Sequence, residues 1–167
     1  MVKVSTLFNV VKGTLASESN IDGDYPFVTA SEEWKTHTDY AHDTEAIVYA
    51  VSAAGSLGRS HYVSGKFIAS NLCLVLTSKN DPNYPIDLEF YNCYFAAIRK
   101  QIVSDLADGT SKLTISPDMF KDYFIDYIPY REQQDFVSTK LKSFLKIQEK
   151  YKKAQEQLSQ DIANLSD

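Results

Sequence analysis

The stretch EAIVYAVSAAGSLGRSHYVSGKFIASNLCLVL, residues 45–76, decides how this chain folds. Ala46-Ile47-Val48-Tyr49-Ala50-Val51 is apolar and rich in β-formers, as expected of a strand with little solvent on either face. Residues 52–59 then set two glycines among small side chains, so the backbone can turn sharply and approach a neighbour closely. His61, Tyr62 and Val63 resume an extended pattern, Ser64-Gly65 is expected to turn the chain, and Phe67-Ile68-Ala69 follows. Leu72 to Leu76 closes the stretch with a buried strand. A glycine loop on a rigid β support is built to present side chains, here Ser56, Arg59, Ser60 and His61.

The composition allows one domain of ordinary size, with 167 residues, 44% hydrophobic and 13% aromatic. No apolar run is long enough to span a bilayer and no basic-then-apolar leader opens the sequence, so a soluble cytoplasmic protein is expected. Cys73 and Cys93 sit among apolar and aromatic residues without CxxC spacing, the pattern of two buried thiols rather than a disulfide or metal site. A net charge of −5 argues against a polycationic nucleic-acid binder but leaves room for local basic faces.

Working outward, residues 1–11 read as a short helix or a helix-to-strand entry, ended by Lys12-Gly13-Thr14. Asp22-Gly23-Asp24 marks a turn, and Tyr25-Pro26-Phe27-Val28-Thr29 an edge strand with its proline near the start. Residues 31–43 read as a long polar surface loop, or a loop with one short helical turn, holding Trp34, His37, Tyr40 and His42. Trp34 and Tyr40 either stack on a ligand or pin this loop to the body, and burial favours pinning. His37 and His42 lack a third ligand nearby and are expected to be solvent-exposed.

A breaker-rich loop, residues 77–85, precedes a helix over residues 87–106. Its apolar stripe is Leu88, Tyr91, Tyr94, Phe95, Ile98, Ile102 and Leu106. Asp108-Gly109 stops it, a short strand covers residues 112–115, and Ser116-Pro117 caps and opens a brief helix. A last strand over residues 123–128 ends at Pro129.

From Glu132 to Leu165 there is neither glycine nor proline, and a helix about 50 Å long is expected. Val137, Leu141, Phe144, Gln148, Tyr151, Gln155, Leu158, Ile162 and Leu165 recur at steps of four and three, a heptad seam over about four repeats. Gln148 and Gln155 are its polar members, of the kind that set register and partner number. A small β body cannot cover such a rod along its length, so the seam points to a coiled-coil partner; a solvated terminal helix held only at its start is the plainer alternative. The fold class expected is α+β: a mixed β domain with short helices over residues 1–131, then a long coiled-coil helix over residues 132–167.

Several short motifs fall in a fixed order: Lys12-Gly13, Gly23-Asp24-Tyr25-Pro26-Phe27, Ala53-Ala54-Gly55-Ser56-Leu57-Gly58 and Gly65-Lys66-Phe67-Ile68-Ala69-Ser70-Asn71. Gly109-Thr110-Ser111-Lys112 and Ile128-Pro129 before Glu132-Gln133 complete the series. Each is weak singly, but their order and spacing resemble one target recognition domain of the DNA specificity subunits of type I restriction-modification systems. The long helix resembles that family's spacer helix.

The resemblance implies a non-catalytic DNA reader. Family members usually carry two recognition domains joined by two helices in an antiparallel coiled coil, each domain reading half of a split target. One domain and one helix here resemble a half-subunit that pairs with itself or an excised half; a two-fold pair implies a palindromic split site. Implied partners are double-stranded DNA, adenine methyltransferase subunits and a restriction/translocase subunit, which would bind S-adenosylmethionine, ATP and Mg²⁺. No cofactor is expected in this chain.

The DNA-contact candidates are Lys35, His37 and Tyr40 from the polar loop and Ser56, Arg59, Ser60 and His61 from the glycine loop. Arg59 is the foremost base reader, because bidentate contact to guanine is the commonest specific contact; a surface ion pair is its plainer role. Lys66 and Lys112 are expected on phosphates, which position without specifying.

Catalytic machinery is not legible. The loop at Gly55–Gly58 lacks the ending of a phosphate-binding loop and the spacing of a nucleophile elbow. Asp81-Pro82-Asn83-Tyr84 is one proline short of an adenine methyltransferase motif and reads as a turn. Two other classes stay open: a protein-interaction and assembly module with no direct DNA readout, and a small hydrolase using Asp39, His42 or His61.

Overall fold

The computed structural model describes residues 1–166, and its centre is a six-stranded mixed sheet. A two-residue strand β1 (Val2–Lys3) and a single helical turn α1 (Val4–Leu7) lead into β2 (Phe8–Lys12). β3 (Tyr25–Val28), β4 (Lys35–His37), β5 (His42–Ala50), β6 (Ser60–Ala69) and β7 (Cys73–Ser78) follow. The spatial order is β2-β7-β5-β6-β3-β4, antiparallel throughout except for the β3–β6 pair.

The apolar run in β5 is buried on both sides, as its composition requires. Ile47, Tyr49 and Val51 face one core with Leu74 and Leu76 of β7. Ala46, Val48 and Ala50 face a second core with Cys73 and Val75. The first core is roofed by helices: α2 (Leu88–Ala97) contributes Leu88, Tyr91 and Phe95, α3 (Arg99–Leu106) Ile102 and Leu106, and α4 (Pro117–Asp122) Phe120. The second core contains no helical residue; strand residues and Ala30 just after β3 fill it, mostly small, with Phe67 as its one large ring. The sheet therefore curls over its own face.

Two glycines explain how the curl closes. Gly13 lies so close to the Ser70 carbonyl that a Cβ would occupy its space, and the Gly13 N–H donates to the Cys73 carbonyl at 2.9 Å. Gly23 packs in the same way against the backbone of His37. The motifs Lys12-Gly13 and Ser70-Asn71 thus meet in space, with the Asn71 N–H donating to the Leu15 carbonyl at 2.8 Å.

Several expectations need correction. Ser64-Gly65 does not turn the chain; both lie inside β6, where Gly65 (φ +101°) keeps register opposite Thr44. The β3 strand is interior, flanked by β6 and β4; Pro26 precedes the two residues that pair with β6, so its missing donor lies outside that ladder. The polar stretch 31–43 contains the true edge strand β4, short and lysine-bearing as exposed edges are. Its His37 is only 7% exposed and packs edge-on to Phe27, rather than facing solvent.

The helix expected over residues 87–106 is two helices, because Ile98 leaves α geometry (φ −101°, ψ 13°) between α2 and α3. Asp87 caps α2, and Ser116 with Pro117 caps α4, as the sequence implies. The short strands β8 (Ala107–Asp108) and β9 (Thr114–Ile115) pair with each other, and β10 (Phe124–Ile125) pairs with β1. The strands expected over 112–115 and 123–128 thus shrink to two residues each.

The terminal helix begins at Tyr130 as α5 (Tyr130–Phe136), passes through a π-helical turn at Val137–Leu141, and continues as α6 (Lys142–Leu165). Its 36 residues span about 54 Å. Only the start is tied to the body. Gln133 is fully buried, accepting from the Asp87 N–H at 2.7 Å and donating to the Ile128 carbonyl at 2.7 Å. Phe136 sits edge-on to Phe90. The π turn absorbs an extra residue, so the straight seam starts at Leu141 and Val137 is rotated out of it.

Candidate nucleic-acid interface

The glycine loop between β5 and β6 is held from both ends. The Gly58 N–H donates to the Ala50 carbonyl at 2.8 Å, and the Ala50 N–H to the Arg59 carbonyl at 2.9 Å. Gly55 (φ +73°) and Gly58 (φ +78°) adopt left-handed backbone that side chains disfavour. Arg99, swung under the loop by the break at Ile98, donates from Nε to the Leu57 carbonyl (2.8 Å) and from Nη2 to the Gly55 carbonyl (3.3 Å). A Cβ at Gly58 would lie 2.9 Å from Arg99 Cγ, so glycine there is what lets the arginine in.

Arg59 Nη1 donates to the Ser56 hydroxyl and to the Ala30 carbonyl, each at 3.1 Å. His61 Nε2 lies 2.8 Å from the Ser31 carbonyl, which can only accept, so this nitrogen carries the proton. Burial holds the His61 pKa below its usual 6.5, and the nearby Arg59 pushes the same way, against the bond to Ser31 and the charge of Glu32. The neutral ring keeps Nδ1 as an acceptor. Trp34, half-exposed, meets this ring edge-on with centroids 5.6 Å apart. Two segments distant in sequence, residues 30–34 and 56–61, thus converge at the start of β6.

A second group lies at the other end of β6, about 17 Å from His61 along the strand. Lys66 Nζ sits 5.1 Å from the centre of the exposed Tyr40 ring, which packs edge-on to Tyr25. His42 stacks on Phe67 with ring planes 23° apart, and burial lowers its pKa.

The remaining candidates are placed elsewhere. Lys35 Nζ donates to the Ser17 carbonyl at 2.6 Å, tying β4 to the segment after β2. His37 Nδ1 accepts from the Asp39 N–H. The Ser60 hydroxyl donates to the Asn92 carbonyl of α2. Lys112 is exposed in the loop between β8 and β9. The structure therefore brings Ser56, Arg59 and His61 together, places Tyr40 with Lys66, and engages Lys35, His37 and Ser60 in internal bonds.

Two residues escaped the sequence reading. Trp34 is read from the sequence as a ligand-stacking ring or a loop pin, and its place on His61 has no local signal. Arg99 lies within the helical stripe between Ile98 and Ile102, and nothing local in the sequence sets it apart from a surface cation.

The hydrolase residues do not converge: Asp39 bonds through its backbone to His37, His42 lies on Phe67, and His61 belongs to the glycine-loop cluster. Among the described residues no group of His, Cys, Asp and Glu is arranged to hold a metal ion. The Asp81 carboxylate accepts from the Asn83 N–H at 2.9 Å, which identifies that motif as a turn. Cys73 and Cys93 are free thiols, and burial pushes Cys73 up to about 12. No helix among the described residues is long and apolar enough to cross a membrane.

Charge is unevenly spread. Residues 1–131 carry the whole net −5, while residues 132–167 are neutral, with six lysines between 140 and 153 and only acidic charges beyond. Lys142, Lys146, Lys150 and Lys153 share the helix face opposite the seam.

The type I restriction modification DNA specificity domain matches this sequence over residues 1–160. A search of curated proteins found no match. Among solved structures, the type I restriction-modification S subunit from M. genitalium is similar with a TM-score of 0.67 and 21% identity over 82% of this chain and 36% of that one. A chain from a study of complex assembly and conformational transition in a type I restriction-modification system gives 0.65 and 13% over 98% of this chain and 42% of that one. The HsdS subunit from Thermoanaerobacter tengcongensis gives 0.62 and 15% over 92% and 39%. This chain thus spans well under half the length of those subunits. A curled sheet with a glycine loop on its rim, the ordered motifs and the trailing helix accord with the family match, and the chain belongs to the type I restriction modification DNA specificity domain family.

Proposed function

We propose that this chain is a specificity half-subunit: its sheet domain reads one half of a split duplex target, and its helix pairs with a second copy. The observation that carries the reading is the seam on α6. Phe144, Tyr151, Leu158, Ile162 and Leu165 are all more than half exposed on a helix whose body belongs to a DNA specificity family. An apolar stripe this long asks for a partner of the same length, and a second copy supplies one.

Ser56, Arg59 and His61 are the proposed base readers. They sit on a rim stiffened by Arg99, and Arg59 keeps guanidinium donors beyond the one nitrogen it uses internally. Neutral His61 offers an acceptor to a base edge rather than a charge to a phosphate. Tyr40 and Lys66 are the proposed backbone contacts at the far end of β6. Methylation and cleavage belong, on this reading, to separate methyltransferase and restriction/translocase subunits that bring S-adenosylmethionine, ATP and Mg²⁺.

The test is selection of bound duplexes from a random pool at moderate salt, with the purified chain and again with its methyltransferase subunit. Two half-sites in inverted repeat at one spacing are the expected result. A body with net charge −5 also suits a purely protein-binding module. No enrichment in either selection, with no salt-sensitive duplex binding, would establish that second reading instead.

A further inference from the structure

Beneath the glycine loop lies a cleft of about 720 Å³ whose wall is largely apolar, from Leu57, Val103 and Leu113, with Arg99 and Lys100 at the start of α3 and Ser104, Thr110 and Ser111 as its polar groups beside Gly55. No carboxylate lines it, in a body whose net charge is −5. The cavity between α3, α4 and β10 is the reverse, with Asp105, Asp118 and Asp122 in its wall, and the shallow one on α6 pairs Lys152 with Glu156. The cleft is thus the one among these where cations are unopposed.

Its donors are also available. Arg99 commits two of its five N–H groups to the Leu57 and Gly55 carbonyls, leaving three. Lys100 is exposed and forms no ion pair among the described residues. Thr110 and Ser111 are exposed hydroxyls on a turn made tight by Gly109, where a Cβ would strike the Lys112 carbonyl. Nothing stands within 4 Å of where a Gly55 Cβ would be, so a ligand can come right up to the backbone.

From this arrangement we infer that the cleft seats a phosphate of the duplex backbone, gripped by Arg99, Lys100, Thr110 and Ser111. Two cations with hydroxyls beside them and an open glycine suit a phosphate oxygen set, and disfavour a cationic ligand on charge alone. The same loop carries Gly55 over the cleft and Ser56 and Arg59 on the rim, within four residues. A backbone contact there would fix the register in which the rim meets base edges. Arg99 would then have two duties, bracing the loop and holding the strand. The inference rests on the DNA-reading proposal above and adds positioning residues to it.

Lys100 is the residue to change, since Arg99 also supports the loop. Lys100→Gln is expected to keep the far-UV spectrum and denaturation midpoint. It should weaken binding to the selected duplex and to an unrelated duplex by a similar factor, about three- to tenfold, and reduce the log–log salt slope by about one. Unchanged affinity and slope, with the wild-type chain still selecting its sequence, would overturn this inference and leave the DNA reading intact. Loss confined to the selected sequence would also overturn it, by making Lys100 a base reader. A deoxynucleoside monophosphate is the second arm. Saturable shifts of the Thr110 and Ser111 amides with it, and none with duplex, would assign the phosphate to a free nucleotide instead. A wild-type chain that binds no duplex, alone or with its methyltransferase subunit, would sink both proposals together.

Discussion

Phe95 and Phe144 are the same side chain in two regions of opposite character. Phe95 has no exposed surface and packs against Phe8, Tyr49 and Phe120 across the first core. Phe144 is 54% exposed on α6, whose described side chains are all exposed. The body buries most of its large apolar side chains, although Ile21, Met119 and Phe124 stay about half exposed at scattered places; the helix carries its exposed apolar groups in one seam that one chain leaves open. The difference separates what this chain needs for folding from what it needs for assembly.

Truncating both residues measures the difference directly. Phe95→Ala is expected to cost about 3–5 kcal/mol in denaturant unfolding of the body. Phe144→Ala should leave that transition within about 0.5 kcal/mol and lower self-association instead, read by sedimentation velocity. Equal effects on the body would abolish the distinction.

The joint between the regions comes next in size. Gln133→Ala removes the fully buried side chain that pairs the Asp87 N–H and the Ile128 carbonyl, for an expected loss of about 2 kcal/mol. Hydrogen exchange should show α5 loosening with it, while α6 keeps its own rate. Uniform loosening of the whole helix would mean that helix and body form one cooperative unit.

A smaller contrast is set by pH. Burial lowers the pKa of His42 and His61 below 6.5, so the unfolded chain binds more protons than the folded one just under that value. Stability is therefore complete above about 6.5 and falls as pH drops toward the depressed folded values. His61→Asn should flatten part of this slope in urea midpoints between pH 5.5 and 7.5. The seam holds no histidine, so self-association should be indifferent to the same change. A parallel fall in association would contradict the assignment.

Much of this was legible from local chemistry. The run at residues 46–51, the caps at Asp87 and Ser116, the turn at Asp81 and the long helix follow from periodicity, side-chain caps and breakers. What escaped depends on partners distant in sequence. Gly65 looks like a turn until Thr44 lies opposite it, and β4 looks like loop because three residues carry too little pattern. His37 is buried by Phe27, ten residues away and across a strand pair. Of the candidate site, the glycine loop was visible as glycines, but the arginine that braces it arrives from α3, and Trp34 reaches His61 by a crossing no window spans.

The most direct measurement repeats the duplex selection with the wild-type chain and a folded Leu158→Asp/Ile162→Asp variant, whose changes fall on the exposed seam far from the body. The wild-type chain should retain an inverted repeat of one half-site at a single spacing, and the variant the same half-site alone. A variant that keeps the spaced repeat, or that loses the half-site while its body remains folded, would contradict the division between a reading body and a pairing helix.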